Sequence, residues 1–212
     1  MSAESDLRDE RADLTVTRHE RVFDGRVWNV VRDTVDYNGA EIVREYVDHP
    51  GAVAILALDD EGRVLLIKQY RHPVKARDWE IPAGLLDEDG ESPLDAAKRE
   101  LAEEADLAAD RWNVLAEYLN SPGGSNENVR IYLARGLREI DAFERFDEEA
   151  DIEKRWVDLD EAAAAVLSRH LENPSTVIGV LTAAASQRGD WASLGDADEP
   201  WPRHPHLGDG TW

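Results

Sequence analysis

The 212-residue sequence predicts an α+β fold, a mixed sheet with helices preceded by a small antiparallel sheet, and three observations carry this. Short strand-like runs at 14–16, 26–34 and 41–47 are separated by Asp24-Gly25 and Asn38-Gly39, pairs that favour the positive φ of tight hairpin turns. Two β-branched apolar runs, 52–57 and 64–70, flank Asp59-Asp60-Glu61-Gly62 and read as a second hairpin. Helical patterns at 93–105, 159–170 and 175–187 alternate irregularly with strands at 112–119, 129–137 and 154–157. That order excludes a regular βαβ repeat.

Residues 1–13 lack apolar periodicity and read as a loose tail. The first sheet has few large side chains, so it is expected to pack on something else. His49-Pro50-Gly51 punctuates the chain, and a long loop runs from the end of the 64–70 strand to Pro82-Ala83-Gly84. From Gly189 onward Gly, Pro, Asp and Trp mix without period, as in a tail. Three regions follow: an N-terminal sheet over 1–48, a main domain over 49–188 and a C-terminal tail over 189–212.

Composition narrows the function. The chain carries 24 basic and 46 acidic residues, a net charge of −22. A field of that sign repels nucleic-acid backbones and anionic membranes, so neither is expected as a partner. An anionic substrate would need divalent cations and local arginines. No apolar run is long enough to span a bilayer. The acidic, polar start is unlike a signal peptide, and the absence of cysteine excludes disulfides and thiolate chemistry; a cytoplasmic protein is expected.

The chemistry concentrates on the helix at 93–105. Ser92 is a good N-cap, Pro93 suits the first helical position, and Asp95 stands where a capping-box acid would. Leu94, Ala97, Leu101 and Ala105 form one apolar stripe. Glu100 and Glu104 project from its edge, four residues apart, with Glu103 beside them. Like charges at this spacing cost a helix roughly 0.2–0.5 kcal/mol per pair, more where water is excluded, unless a cation lies between them. By itself the cluster reads more readily as an ordinary acidic face.

Its context is more specific. Gly84, then Glu91, then seven residues and Arg99-Glu100-Leu101-Ala102-Glu103-Glu104-Ala105-Asp106-Leu107 closely resembles the Nudix signature G-x5-E-x7-R-E-U-x-E-E-x-G-U. Two positions depart from it: six residues instead of five separate Gly84 from Glu91, and Asp106 stands for the closing glycine. An aspartate after the last helical turn tolerates the left-handed conformation a glycine would supply. The resemblance implies a Nudix fold, with the mixed sheet sandwiched between helices, and a pyrophosphohydrolase dependent on Mg²⁺, with Mn²⁺ as the alternative. It assigns Glu100, Glu104 and the Ala83 carbonyl as metal ligands and Glu103 as a supporting ligand or positioner. Arg99 would hold the glutamates, and Glu91 would brace Arg99 or the loop.

Further motifs resemble the ADP-ribose pyrophosphatases of that family: Lys68-Gln69-Tyr70-Arg71-His72-Pro73, Trp79-Glu80-Ile81-Pro82-Ala83-Gly84 and Ser121-Pro122-Gly123-Gly124-Ser125, with Pro122 fifteen residues beyond Leu107. The implied substrate is a small nucleoside diphosphate, ADP-ribose, cut to AMP and ribose 5-phosphate. Arg71, Glu80, Pro122 and Gly123 would contact it, and Trp28 would stack on adenine. By the same resemblance, Glu148, or Glu149 one residue on, is the catalytic base. The sheet over 1–48 would exchange in a homodimer, Arg44 reaching the partner's site. Alternatives are a Nudix hydrolase of another nucleoside diphosphate sugar or dinucleotide coenzyme, and a non-catalytic ADP-ribose-binding module.

Overall fold

The computed structural model describes residues 7–143 and 151–208. Two compact units emerge, one from 7–49, 121–127 and 200–208, the other from 50–120 and 128–199, the intervening 144–150 aside.

The first unit is built on an antiparallel sheet of β1 (Thr15–Asp24), β2 (Asn29–Tyr37) and β3 (Ala40–Asp48), in that order. Asn38 and Gly39 turn β2 into β3 with φ of 57° and 81°, as the expected hairpin requires. Asp24-Gly25 does not make such a turn. Residues 25–28 link β1 to β2, and a Cβ on Gly25 would fall 2.1 Å from the Trp28 carbonyl oxygen, so glycine serves close approach there. After β3, residues 121–127 are fastened to its end: Val47 N–H donates to the Gly124 carbonyl at 2.9 Å and Ser125 Oγ to the Val47 carbonyl at 3.2 Å.

The second unit holds two sheets. β5 (Arg63–Arg71) lies between β6 (Ala76–Glu80) and β10 (Glu153–Asp158), all antiparallel. The larger sheet runs β11 (Gly195–Asp196), β8 (Leu107–Leu119), β9 (Asn128–Glu139), β4 (Ala52–Ala57), β7 (Ala83–Leu85). Only the β4–β9 pair is parallel among these, which makes the sheet mixed.

Helices cover both faces of that sheet, and period-two alternation along β4 and β9 dictates which residue meets which helix. Ala54, Leu56, Ile131 and Leu133 point into a core with α2 (Leu159–Leu167) and α3 (Pro174–Arg188), whose Ala162, Val180 and Ala183 complete it. Val53, Ile55, Tyr132 and Ala134 point the other way, onto Ala97 and Leu101 of α1 (Pro93–Ala105). Leu101 is fully buried, and truncating such a leucine to alanine costs about 2–5 kcal/mol. The α+β class with a sandwiched mixed sheet therefore stands.

Local signals misled in three further places. Gly62 turns with φ of 80°, yet 52–57 and 64–70 form no hairpin: a single bridge, Leu58 to Val64, joins them before each enters a different sheet. The expected loop before Pro82 contains β6 and leads into β7. The segment after Gly189 is tied down by pairing of β11 with β8, and Trp201 is 4% exposed. No helix among the described residues is long and apolar enough to cross a membrane.

Candidate active site

The helix α1 begins and ends as its sequence dictates. Ser92 Oγ accepts the Asp95 N–H at 3.1 Å and donates to the Asp95 carboxylate at 2.8 Å. At the other end Asp106 adopts φ 58° and ψ 38°, the left-handed cap. Its carboxylate does what a glycine cannot: Oδ1 accepts the Phe143 N–H at 2.9 Å and Oδ2 pairs with Lys154. The helix terminus is thereby joined to the exit of β9 and the entry of β10.

Within α1, Arg99 organises three carboxylates. Its guanidinium grips Glu91 in a bidentate pair at 3.0 and 2.9 Å and donates from Nη1 to Glu100 Oε1 at 2.6 Å. Glu103 Oε2 is 3.4 Å from the same nitrogen and more open to solvent. Hydrogen bonds to Glu91 raise the Arg99 pKa above its ordinary value; burial opposes this and attraction to Glu100 adds to it. Glu91 thus braces Arg99.

Glu104 is only 4% exposed, and its Oε2 accepts the Ala83 N–H at 2.9 Å. β7 brings Ala83 there by pairing with Ala54 of β4. The next residue is a glycine that lets the Glu100 side chain lie close. A Cβ on Gly84 would lie 1.9 Å from Glu100 Cδ and Oε1, far inside contact distance, so the Glu100 carboxylate rests on bare backbone. The extra residue between Gly84 and Glu91 falls before α1 and leaves this arrangement intact.

Among the described residues, no three acidic or histidine side chains already form a metal cage. The donors nevertheless suit a hard divalent cation: they are carboxylate and carbonyl oxygens, one carboxylate is nearly buried, and three glutamates face one guanidinium. A bound cation would compete with Arg99 for Glu100.

Glu80, at the end of β6, is 2% exposed and takes Arg71 bidentately, Nε to Oε1 at 2.9 Å and Nη2 to Oε2 at 2.6 Å. Gln69 adds a longer contact to Glu80 at 3.5 Å. The register of β5 on β6, with Ile67 opposite Glu80, sets Arg71 and Glu80 on one side. Arg71, itself 45% exposed in its side chain, is thus an oriented cation. Glu80 is its buried anchor, where the sequence suggested a substrate contact.

In the other unit, Pro122 and Gly123 lie exposed in a turn closed by Gly124 N–H to the Ser121 carbonyl at 2.9 Å. Arg44 is an exposed residue of β3 whose Nη1 donates to the neighbouring Val43 carbonyl. Trp28 is 40% exposed and stacks on His49, which sequence reasoning treated only as punctuation. Glu148 and Glu149 lie outside the described residues. A cavity of about 530 Å³ beside the C-terminal end of α1, lined by Arg63, Asp106, Lys154 and Trp156 among others, includes none of the predicted site residues that lie among the described residues, and the carboxylate cluster is taken as the candidate site.

The NUDIX domain model matches residues 48–176. An ADP-ribose pyrophosphatase of Mycobacterium tuberculosis is 43% identical over 91% of this chain and 93% of its own length. One of Bacillus subtilis is 37% identical over 76% of this chain and 87% of its own. A crystal structure of an ADP compounds hydrolase superposes with a TM-score of 0.69 over 86% of this chain and 98% of that one, at 20% identity, a likeness of fold. With the brace of Arg99 on Glu91, the glycine beneath Glu100 and a domain match over more than half its length, the chain belongs to the Nudix family and is a Nudix hydrolase.

Proposed function

We propose that the chain is a cytoplasmic, Mg²⁺-dependent ADP-ribose pyrophosphatase that releases AMP and ribose 5-phosphate, with Mn²⁺ as a substitute cation. The observation that carries this is the pairing of a buried Glu104 with a Glu100 seated on Gly84, because such anionic oxygens in a partly dry site require a cation. Two relatives bearing the ADP-ribose pyrophosphatase name support the substrate.

In this reading Glu100, Glu104 and the Ala83 carbonyl hold the cation and Glu103 supports it. Mg²⁺, when bound, supplies charge neutralisation and Lewis acidity at the diphosphate. Arg99 keeps the carboxylates apart in fixed rotamers. Arg71, aligned by Glu80, orients a diphosphate oxygen. Glu148, or Glu149, takes the proton of the attacking water as one bridging P–O bond breaks. Trp28 stacks on adenine, the Pro122-Gly123 turn borders the substrate, and Arg44 serves the partner's site in a homodimer.

The test is product analysis. ADP-ribose with Mg²⁺ should yield AMP and ribose 5-phosphate in equal amounts, chelation should abolish it, and dinucleotides and other nucleotide sugars should turn over more slowly. A different preferred substrate in that panel, or full activity with chelator, would overturn the proposal.

A further inference from the structure

Trp28 sits in the link between β1 and β2, 40% exposed, with one face of its indole covered. The covering group is the His49 imidazole, its centroid 4.4 Å away and its plane 18° from parallel. His49 itself is 5% exposed. Its backbone N–H donates to Asn126 Oδ1 at 2.8 Å, and Asn126 Nδ2 in turn holds Asp48 Oδ1 at 2.9 Å. Glu127 Oε1 stands 3.6 Å from His49 Nε2. The 121–127 segment, the stretch that also carries Pro122, therefore holds the His49 backbone through Asn126 and faces its imidazole with Glu127. An exposed tryptophan on a strand link loses rotamer freedom when it stacks on a ligand, and that loss weakens binding. A rigid ring behind it removes part of the cost beforehand.

We infer that His49 is a positioning residue: it holds the Trp28 indole flat and outward so that its open face receives the purine of the substrate. This rests on the reading above that Trp28 takes adenine. Hydrogen bonding by the imidazole is secondary to the flat ring, so another aromatic side chain serves in its place. Nothing in the chemistry at the diphosphate involves His49, and the effect falls on substrate capture.

Steady-state kinetics on ADP-ribose with the full chain separates the possibilities. His49→Leu and His49→Phe both bury an apolar side chain and lose the Glu127 contact; only the second keeps a stacking ring. His49→Leu should raise KM roughly 2- to 10-fold, the range of an aromatic pair, with kcat unchanged, and His49→Phe should return KM to near wild type. Trp28→Ala should raise KM at least as much, and adding His49→Leu to it should change nothing further. A purely structural role would lower the melting temperature of both His49 variants alike and leave KM of the folded protein unmoved. If His49→Leu does not fold, His49→Met takes its place. Multiplying KM effects in the double variant, or equal KM for the leucine and phenylalanine variants, would overturn the positioning role while leaving Trp28 as a base contact. Unchanged KM for Trp28→Ala would overturn the base-stacking reading, and this inference with it.

Discussion

Gly84→Ala isolates the placement of one carboxylate. The new Cβ would lie 1.9 Å from Cδ and Oε1 of Glu100 and 2.5 Å from its Cγ. Ordinary contact needs at least 3.4 Å, so the partly buried Glu100 side chain has to retreat by about 1.5 Å. That breaks its 2.6 Å bond from Arg99 Nη1 and moves a donor oxygen off the candidate metal position. Overpacking costs about 1–3 kcal/mol, and restricting the unfolded chain returns about 0.4–1 kcal/mol, so the protein remains folded. Displacement near 1 Å at a reacting centre lowers rate about 100-fold. Melting followed by circular dichroism, together with AMP release across a Mg²⁺ titration, should show a modest loss of stability, a large loss of kcat and a weaker response to the cation. Wild-type turnover at wild-type Mg²⁺ in a folded Gly84→Ala protein would refute the role given to Glu100.

Four other outcomes are expected. Glu104→Gln keeps an acceptor for the Ala83 N–H but loses the anion, so it should fold normally and lose most of its turnover; near-normal turnover would remove Glu104 from the metal site. Glu148→Gln should lower kcat with little change in KM, and Glu149→Gln should do less; the reverse order moves the base to Glu149. Unfolding and remixing Glu104→Gln with Arg44→Ala chains should restore up to roughly a quarter of wild-type activity, because half of randomly paired dimers are mixed and each holds one intact site; no recovery would deny Arg44 a role across the dimer. Burial lowers the His49 pKa below its ordinary 6.5, with Glu127 and Asp48 pulling it upward less strongly. The unfolded state then binds the proton more readily, so this contribution to stability is complete above pH 6.5 and declines as pH falls below it. Urea midpoints between pH 7.5 and 5.5 should drop more for wild type than for His49→Phe, and parallel curves would exclude the histidine as the cause.

The parts of the fold legible in the sequence were those decided locally. Ser92, Pro93 and Asp106 delimit α1 because caps act within one turn, and its apolar stripe shows the buried face. Strand partners are a different matter. Gly62 announces a turn correctly, but β4 is buried on both faces and takes β7 and β9 as neighbours, leaving β5 to pair with β6 and β10; no local signal encodes that choice. β6 was hidden because Arg77 and Asp78 interrupt its apolar pattern, and β7 because it is three residues long. The candidate site followed the same division. The spacing of α1 placed Glu100, Glu103 and Glu104 on its edge, whereas the reason for Gly84, the Ala83 bond to Glu104 and the stacking of Trp28 on His49 depend on chain segments meeting from afar.

The charge balance takes on meaning at the two site arginines. In a chain of −22, neither Arg71 nor Arg99 is a bare cation: Glu80 holds the first bidentately and Glu91 the second. Those pairs hold the guanidinium planes while cancelling most of their long-range attraction. The balance around Arg99 stays negative, since its one guanidinium faces Glu91, Glu100 and Glu103 together. On the proposed reading the arginines orient an anion that has already arrived, and its attraction to so acidic a protein comes from a divalent cation seated on those carboxylates. On that reading binding and catalysis depend on one event, occupation of the metal site, and the rest of the acidic surface takes no part in drawing the substrate in.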